Sequence, residues 1–253
     1  MSTTFCEGAI FDLDGVVTGT ARTHFNAWKE TFDGYLASRG GLSEEQRRPF
    51  THADDYVPYV DGKPRYDGVK SFLESRGVAL PFGSPEDAPG SETVCGIGNE
   101  KNVQFRRIVE RDGVEIYEST VAYIDALAER GVRVGVASSS KNATFILETT
   151  GLHSRFGAVV DGNTSAELGL SGKPAPDIFL TAAERLSVSP EQSLMVEDAY
   201  SGVEAGRRGA FGLVIGIARS GDPEELKRRG ADIAVTDMGE FTIEQTERWF
   251  ESR

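Results

Sequence analysis

Short apolar segments recur along most of the chain and predict the strands of a buried sheet. They are brief and uninterrupted, which is typical of parallel strands covered on both faces rather than of strands with one wet face. The predicted strands are Ala9 to Phe11, Val132 to Ala137, Ala158 to Val160, Leu194 to Val196, Gly212 to Ile215 and Ile233 to Val235.

Helical patterns lie between these segments. One helical face ends at Gly131, a second helix is predicted from Asn142 to Thr150, and Asp222 with Pro223 has the sequence of an N-cap followed by a first-turn proline. The face that ends at Gly131 consists of Val121, Ile124, Leu127 and Ala128. Strands that alternate with helices in this way predict an α/β fold with a parallel sheet.

The segment from Gly19 to Asp112 interrupts the alternation, because it shows helical patterns and no obvious buried strand. Further helices are predicted around Val69 to Leu73 and from Asn102 to Val109. The first helix carries a stripe of Phe25, Trp28, Phe32, Tyr35 and Leu36. We therefore expect a sheet domain formed by residues 1–18 and 113–253 and a helical insertion formed by residues 19–112. Ligands of open α/β sheets bind beyond the carboxyl ends of the strands, where such an insertion can act as a lid.

Composition and charge narrow the class of partner. The net charge of -13 argues against nucleic acid or an anionic membrane, and no segment approaches the roughly 18 apolar residues of a membrane span. Cys6 and Cys95 have no metal-ligand spacing and are too few for a disulfide framework, and the first residues lack a basic and apolar leader. We expect a cytoplasmic protein with a small-molecule substrate. The sequence does not determine the oligomeric state, and a monomer is compatible with it. Asn163-Thr164-Ser165 fits the N-glycosylation pattern by composition, but without a secretory route it is interpreted as a loop.

Two pairs of carboxylates follow predicted strands. Asp12 and Asp14 come after the first strand and, being two residues apart, leave an extended chain on the same side. Glu197 and Asp198 come after the fourth strand. Like charges this close are tolerated when a divalent cation neutralises them or when one group is protonated. The two acidic strand ends predict a site for a hard cation, although a solvated Asp-x-Asp-Gly turn is the alternative for the first pair taken alone.

Two further segments could bind an anion. Residues 138–142, Ser-Ser-Ser-Lys-Asn, follow the second strand of the main run and lead into a helix, so they offer hydroxyls and backbone N–H groups. Helix capping by serine and asparagine is the alternative. Lys173 lies in a Gly172-Lys173-Pro174 sequence before a predicted helix, and its alternative is an ordinary exposed charge.

The order of these motifs resembles that of the haloacid dehalogenase superfamily of phosphotransferases. The resemblance rests on Asp12-Leu-Asp14-Gly, the serine after a strand, Lys173-Pro174 and Glu197-Asp198. Further segments are similar to the β-phosphoglucomutase-like family, namely Val16-Val-Thr18 with His24-Phe-Asn-Ala-Trp28, Ser139-Ser-Lys-Asn142 and Lys173-Pro-Ala-Pro-Asp177-Ile-Phe179. The resemblance implies an α/β fold consisting of a Rossmann-like three-layer parallel-sheet core with an inserted helical cap domain.

The resemblance also implies roles for the acidic residues. Asp12 would be the nucleophile that accepts a phosphoryl group, and Asp14 the general acid and base. Mg²⁺ would be held by Asp12, the backbone carbonyl of Asp14 and Asp198. Glu197 would be a further ligand or would orient the others.

Polar residues in both predicted domains would bind the substrate. Ser138, the Ser139 amide and Lys173 would neutralise the transferred phosphoryl group. In the cap, Gly62-Lys-Pro-Arg65 resembles a phosphate-binding loop and Lys101-Asn102 a second contact. For His24, packing is one interpretation, and coupling of cap closure to the acid/base carboxylate is the other. The full set of predicted substrate contacts is His24, Arg65, Lys101, Asn102, Ser139, Ser140, Lys141 and Asn142.

The acceptor of the phosphoryl group distinguishes the possible activities. A mutase that interconverts β-glucose 1-phosphate and glucose 6-phosphate must hold a second, non-reacting phosphate, for which Arg65, Lys141 and Asn142 are candidates. A sugar-phosphate phosphatase is the alternative, and a non-catalytic phosphate-binding module is disfavoured because the acidic and lysine motifs are intact. The cap loops look long, and Gly19 stands where an acidic residue is often found, so the sugar is left open.

Overall fold

The computed structural model describes residues 5–60, 63–219 and 221–252, which form two compact units. The sheet unit comprises the chain up to Thr20 and from Val114 onward, and the helical unit is Ala21–Gly113. Each unit has its own apolar core.

The sheet unit contains the predicted parallel strands. The strands are β1 (Gly8–Phe11), β2 (Thr18–Gly19), β3 (Glu115–Ile116), β4 (Arg133–Ala137), β5 (Ala158–Val160), β6 (Ser193–Glu197), β7 (Leu213–Ile217) and β8 (Ile233–Val235). Six of them form one parallel sheet in the order β5-β4-β1-β6-β7-β8, while β2 and β3 pair as a separate antiparallel ribbon. The six predicted strands are confirmed, with ends that differ by at most two residues. The ribbon was not predicted, because two-residue strands are too short to produce an apolar pattern.

The helices are divided between the two units, with α1 to α4 in the helical unit and the rest in the sheet unit. They are α1 (Ala21–Ser38), α2 (Val57–Tyr59), α3 (Arg65–Ser75), α4 (Val94–Asp112), α5 (Glu118–Glu129), α6 (Ala143–Thr149), α7 (Gly162–Leu168), α8 (Asp177–Leu186), α9 (Tyr200–Arg208), α10 (Pro223–Arg229) and α11 (Ile243–Glu251). A wide helical turn over His52–Tyr56 leads into α2. Within the described ranges, no helix combines the length and the apolar composition that crossing a membrane requires.

Helices cover both faces of the main sheet. Neighbouring residues of a strand point to opposite faces. On one face, Ile10 packs in a single cluster with Phe179 of α8 and Val203 of α9. On the other, Phe11 lies edge-on to Tyr123 of α5, with ring centroids 6.4 Å apart. Burial of side chains of this size stabilises the fold by about 1.5–3 kcal/mol each. The three-layer α/β core is therefore confirmed.

An aromatic core holds the helical unit together. Phe32 of α1 stacks on Trp28 one turn earlier and meets Phe72 of α3, with ring centroids 5.0 Å and 4.2 Å away. Ile97 of α4 joins the same cluster. Residues 21–60 and 63–113 contain no strand, which agrees with the absence of an apolar strand pattern there.

Two sequence interpretations of local structure were wrong. Helix α4 begins at Val94 rather than near Asn102, because Thr93 caps it by accepting a hydrogen bond from the Gly96 amide at 2.9 Å. Asn163-Thr164-Ser165 lies inside α7 rather than in a loop. Asp161 starts that helix by accepting hydrogen bonds from the amides of residues 163 and 164.

A buried ion cluster ties the irregular part of the helical unit together. Asp55 is fully buried and accepts hydrogen bonds from Arg76 at 2.9 Å, Arg48 at 3.0 Å and the Thr51 amide at 2.9 Å. Burial would raise the pKa of Asp55, but the Thr51 amide and the two guanidinium groups outweigh it and lower the pKa below its ordinary value. Asp55 therefore stays ionised between two arginines.

Candidate active site

The carboxyl edge of the main sheet gathers the acidic residues selected from the sequence. Asp12 directly follows β1, Glu197 ends the neighbouring β6, and Asp198 comes next in the chain. The Asp12 amide continues the strand pairing by donating to the Val196 carbonyl at 3.0 Å. One carboxylate oxygen from each of Asp12, Glu197 and Asp198 lies within 4.8 Å of the other two. Strand register thus brings together two motifs that are far apart in sequence.

Lys173 is buried among these carboxylates rather than exposed. Its ammonium donates to Asp12 Oδ1 at 2.6 Å and also to Glu197 Oε1, and only 12% of its side chain is accessible. Burial would lower the pKa of Lys173, but the negative charges of Asp12 and Glu197 raise it above its ordinary value. Lys173 is therefore a fixed positive charge next to Asp12.

The acidic cluster is electrostatically strained. Burial raises the pKa of Asp12 to about 7; Lys173 opposes this, while Glu197 and Asp14 add to it. Burial and the charges of Glu197 and Asp12 raise the pKa of Asp198 to about 8. When all three carboxylates are ionised, they and the Lys173 ammonium leave two negative charges, which match the charge of a divalent cation. The all-oxygen donor set suits Mg²⁺, so the residues present fit this ion.

Two glycines allow the carboxylates to approach the backbone. A Cβ atom on Gly15 would lie 2.0 Å from Asp198 Oδ2, and one on Gly202 would lie 1.8 Å from Glu197 Oε1. Gly15 also has a φ of 87°, a left-handed conformation that other residues rarely adopt. The sequence singled out Gly15 as part of its motif but carried no signal for Gly202, which contacts the site only through the fold.

Asp14 is held by hydroxyl groups. Thr20 donates to Asp14 Oδ1, and Ser138 donates to Oδ2 at 3.4 Å. Ser138 is itself buried, and its hydroxyl accepts from the Ser140 amide at 3.0 Å. Thr20 was not among the residues selected from the sequence. The pattern that could have identified it is its alternation with Thr18, which puts both side chains on the same side of the segment that becomes β2. The two aspartates of the first motif therefore have different surroundings, with Lys173 beside Asp12 and hydroxyls beside Asp14.

The remaining residues of the loop after β4 are spread over different environments. Ser139 and Lys141 are exposed, and Ser140 is half-buried with its hydroxyl accepting from the Asn142 amide at 3.2 Å. Asn142 is buried at the start of α6, and its side chain makes no capping hydrogen bond to that helix. Ser138 is therefore the residue of this loop that hydrogen-bonds Asp14 in the contacts described above, and phosphate binding by residues 139–142 stays a prediction.

The helical unit brings its predicted substrate residues together in pairs. His24 of α1 and Lys101 of α4 approach at 2.8 Å between Nδ1 and Nζ, and Arg65 of α3 donates to Asn102 Oδ1 at 3.0 Å. Gly62 of the predicted phosphate loop lies outside the described residues.

His24 also packs against an aromatic side chain. Its ring stacks on Phe105 with centroids 4.5 Å apart. Burial, with Lys101 and Arg65 nearby, lowers the pKa of His24 well below its ordinary value. The imidazole is therefore neutral and accepts a hydrogen bond from the Lys101 ammonium.

Comparisons with known proteins agree on the family. The model of the haloacid dehalogenase-like hydrolases matches residues 6–209. A β-phosphoglucomutase of Mycobacterium bovis is 48% identical over 235 residues, which cover 92% of this chain and 90% of that protein. A fructose-1-phosphate phosphatase of Escherichia coli is 28% identical over 207 residues, which cover 82% of this chain and 94% of the phosphatase.

A solved structure has the same fold. The crystal structure of a β-phosphoglucomutase from Clostridium difficile superposes with a TM-score of 0.70 at 23% identity, covering 98% of each chain. It shows the fold, while the family model and the Mycobacterium bovis relative confirm the family resemblance. The chain belongs to the haloacid dehalogenase superfamily and, within it, to the β-phosphoglucomutase-like family.

Proposed function

We propose that this protein is a Mg²⁺-dependent phosphotransferase that interconverts β-glucose 1-phosphate and glucose 6-phosphate through the 1,6-bisphosphate. The observation that supports this activity most strongly is the 48% identity, over nearly the whole of both chains, with a β-phosphoglucomutase. In this proposal residues 1–18 and 113–253 carry the transfer chemistry, and the cap, residues 19–112, recognises the sugar phosphate. The buried, unpaired Cys6 and Cys95 suit a reducing cytoplasm.

Asp12 is the proposed nucleophile. A carboxylate oxygen attacks phosphorus, the bond between phosphorus and the sugar oxygen breaks, and an aspartyl phosphate forms. Lys173, at 2.6 Å from Asp12, neutralises charge on the phosphoryl oxygens and keeps the attacking carboxylate oriented. Ser138 and the Ser139 amide would contact the same oxygens.

Asp14 is the proposed general acid and base. It gives its proton to the departing sugar oxygen and later removes a proton from the hydroxyl that accepts the phosphoryl group, an exchange worth about 10²- to 10⁴-fold in rate. Thr20 and Ser138 hydrogen-bond its two oxygens and support this role by holding the carboxylate in one orientation.

Asp12, Asp198 and the Asp14 carbonyl would hold Mg²⁺, which supplies charge neutralisation of the phosphoryl oxygens. Glu197 is better suited to orienting its neighbours, because its two oxygens already accept from Lys173 and from the Ala199 amide. The Glu197 side chain is fully buried, which also supports an orienting role.

The helical unit would bind the phosphate that does not react. Arg65 and Lys101 are cations held by Asn102 and His24 respectively, which supports their use as substrate contacts. Ser140, Lys141 and Asn142, which the sequence also predicts as substrate contacts, would complete the grip. A mutase needs this grip because the bisphosphate must reorient before it returns its second phosphoryl group.

A phosphatase is the second candidate. The Escherichia coli fructose-1-phosphate phosphatase covers most of this chain, and the same nucleophile and acid/base pair would serve if water replaced the sugar hydroxyl as acceptor. The two activities differ in the fate of the aspartyl phosphate alone.

One assay distinguishes the candidates. The protein is incubated with Mg²⁺, β-glucose 1-phosphate and a trace of the bisphosphate, and glucose 6-phosphate and free phosphate are measured separately. Isomerisation in excess of phosphate release is expected, and phosphate release alone would reject the mutase. Asp12→Asn should abolish either activity. Binding of sugar phosphate by calorimetry without turnover would instead favour a non-catalytic module.

A further inference from the structure

Arg219 makes an unusual set of contacts at the carboxyl edge of the sheet and has no role in the chemistry above. It lies two residues after β7 and donates from Nε to the Gly15 carbonyl at 3.0 Å and from Nη2 to the Val16 carbonyl at 3.5 Å. Its third donor, Nη1, pairs with Asp237 at 2.7 Å. Only 18% of the side chain is accessible.

The flat face of the Arg219 guanidinium group also makes a contact. Its carbon lies 3.4 Å from the ring centroid of Tyr117, close enough for a stacked cation–π contact. Tyr117 follows β3, and its amide donates to the Val17 carbonyl at 3.0 Å. Arg219 therefore links the turn after Asp14, the residue that follows β3 and the loop after β8, all within the sheet unit.

The turn that Arg219 contacts is tight and contains a flexible residue. The Gly15 amide donates to the Thr18 carbonyl at 2.7 Å, and Gly15 itself has a positive φ and packs against Asp198. A glycine loses more conformational freedom on ordering than other residues, so such a turn depends on outside contacts to keep one geometry. Because Asp14 immediately precedes Gly15 in the chain, rotation of the Gly15 peptide would move the Asp14 carboxylate relative to Thr20 and Ser138.

We propose that Arg219 is a positioning residue that holds the Gly15–Val16 backbone and thereby keeps Asp14 aligned for proton transfer. This inference rests on the proposed acid role of Asp14. Lysine is not an adequate replacement, because a single ammonium keeps the pair with Asp237 but cannot also span both carbonyls and lie flat on Tyr117.

Leaving-group dependence tests the inference directly. When Asp12 attacks a sugar phosphate, the sugar oxygen needs the proton of Asp14 as its bond to phosphorus breaks. When Asp12 attacks p-nitrophenyl phosphate, the leaving nitrophenolate is a stable anion and needs little protonation. Single-turnover phosphorylation of Asp12 by the two substrates in the presence of Mg²⁺ therefore separates loss of proton transfer from general damage to the site.

Arg219→Met should slow phosphorylation by the sugar phosphate about 10- to 100-fold, the loss expected of a misplaced catalytic group, and should slow phosphorylation by p-nitrophenyl phosphate far less. Substrate affinity should change little. The matched control is Arg155→Met, since Arg155 pairs with Asp125 at 2.8 Å but lies before β5, at the opposite edge of the sheet; it should leave both rates unchanged.

Asp14→Asn separates this inference from the proposed function. If Asp14→Asn slows both substrates alike, the acid role fails and the inference fails with it. If Asp14→Asn is selective for the sugar phosphate and Arg219→Met is not, only the role of Arg219 is overturned. If Arg219→Met is unfolded at the assay temperature, Arg219→Lys replaces it: a smaller selective loss supports the inference, and full activity on both substrates rejects it.

Discussion

Lys173 and Asp12 are 161 positions apart in sequence, yet the Lys173 ammonium lies 2.6 Å from Asp12 Oδ1. The same ammonium contacts Glu197, so one cation serves both acidic strand ends. Since the carboxylates themselves repel, this contact favours the ionised form of Asp12, which the proposed attack on phosphorus requires.

Lys173→Met should therefore reduce phosphorylation of Asp12 by about 10²-fold or more, because the transferred phosphoryl group and two buried carboxylates lose their fixed positive charge. The measurement is the rate of aspartyl phosphate formation from labelled sugar phosphate. Lys227→Met, which removes a half-exposed lysine from α10, is the control and should retain activity. Equal activity in the two variants would contradict the role of Lys173.

Mg²⁺ should raise the midpoint of thermal unfolding, and the increase should grow between pH 6 and pH 8.5. The pKa values of about 7 for Asp12 and about 8 for Asp198 mean that protons occupy the site at the lower pH and compete with the ion. Asp198→Asn should remove most of the increase. The exposed substitution Glu129→Gln should leave it unchanged, and a pH-independent increase would contradict binding at this cluster.

His24 should make the folded protein sensitive to mild acid. Its pKa in the folded protein is lowered well below 6.5, so the unfolded chain takes up a proton first and stability falls as the pH drops through 6.5. Urea unfolding at pH 7.5 and 5.5 should show that the wild type loses more stability between these two pH values than His24→Gln does. His153→Gln, at an exposed position, should behave as the wild type. A loss as large in His24→Gln as in the wild type would show that other groups cause it.

Arg65→Ala should impair mutase turnover about 10- to 100-fold, because a charge-assisted hydrogen bond to the second phosphate is worth about 1.5–3 kcal/mol. Hydrolysis of p-nitrophenyl phosphate, which has no second phosphate, should change little. Arg107→Ala on the exposed side of α4 provides the matched control. Equal losses with both substrates would count against Arg65 as the contact for the distal phosphate.

Asp55→Asn should destabilise the protein by about 3–5 kcal/mol, since it leaves the buried Arg76 without its charged partner. Denaturant titration measures the change. Glu92→Gln breaks an ion pair with Arg39 of similar length, 2.6 Å, but Glu92 is 67% exposed, so a cost of about 0–1 kcal/mol is expected. Similar costs for the two variants would show that burial of Asp55 is not the cause.

Sequence alone determined the strands, the family and the chemical type of the main groups. Unbroken apolar runs such as Ala158 to Val160 have a clear physical cause, because a strand covered on both faces must be apolar throughout. The motif order around Asp12, Lys173 and Asp198 identified the family before any contact was known. Short elements were missed where local signals are weak, as in the ribbon formed by Thr18–Gly19 and Glu115–Ile116.

Only the tertiary structure decided which groups meet. Parallel register places Asp12 beside Glu197, and the fold brings Lys173 between them. From the sequence alone, an exposed position for Lys173 was equally compatible. The fold also brought the Ser138 hydroxyl to Asp14 and Arg219 to the Gly15 carbonyl. These contacts join residues far apart in the chain, and since neither periodicity nor local motif encodes such distances, they follow from how the strands and loops pack.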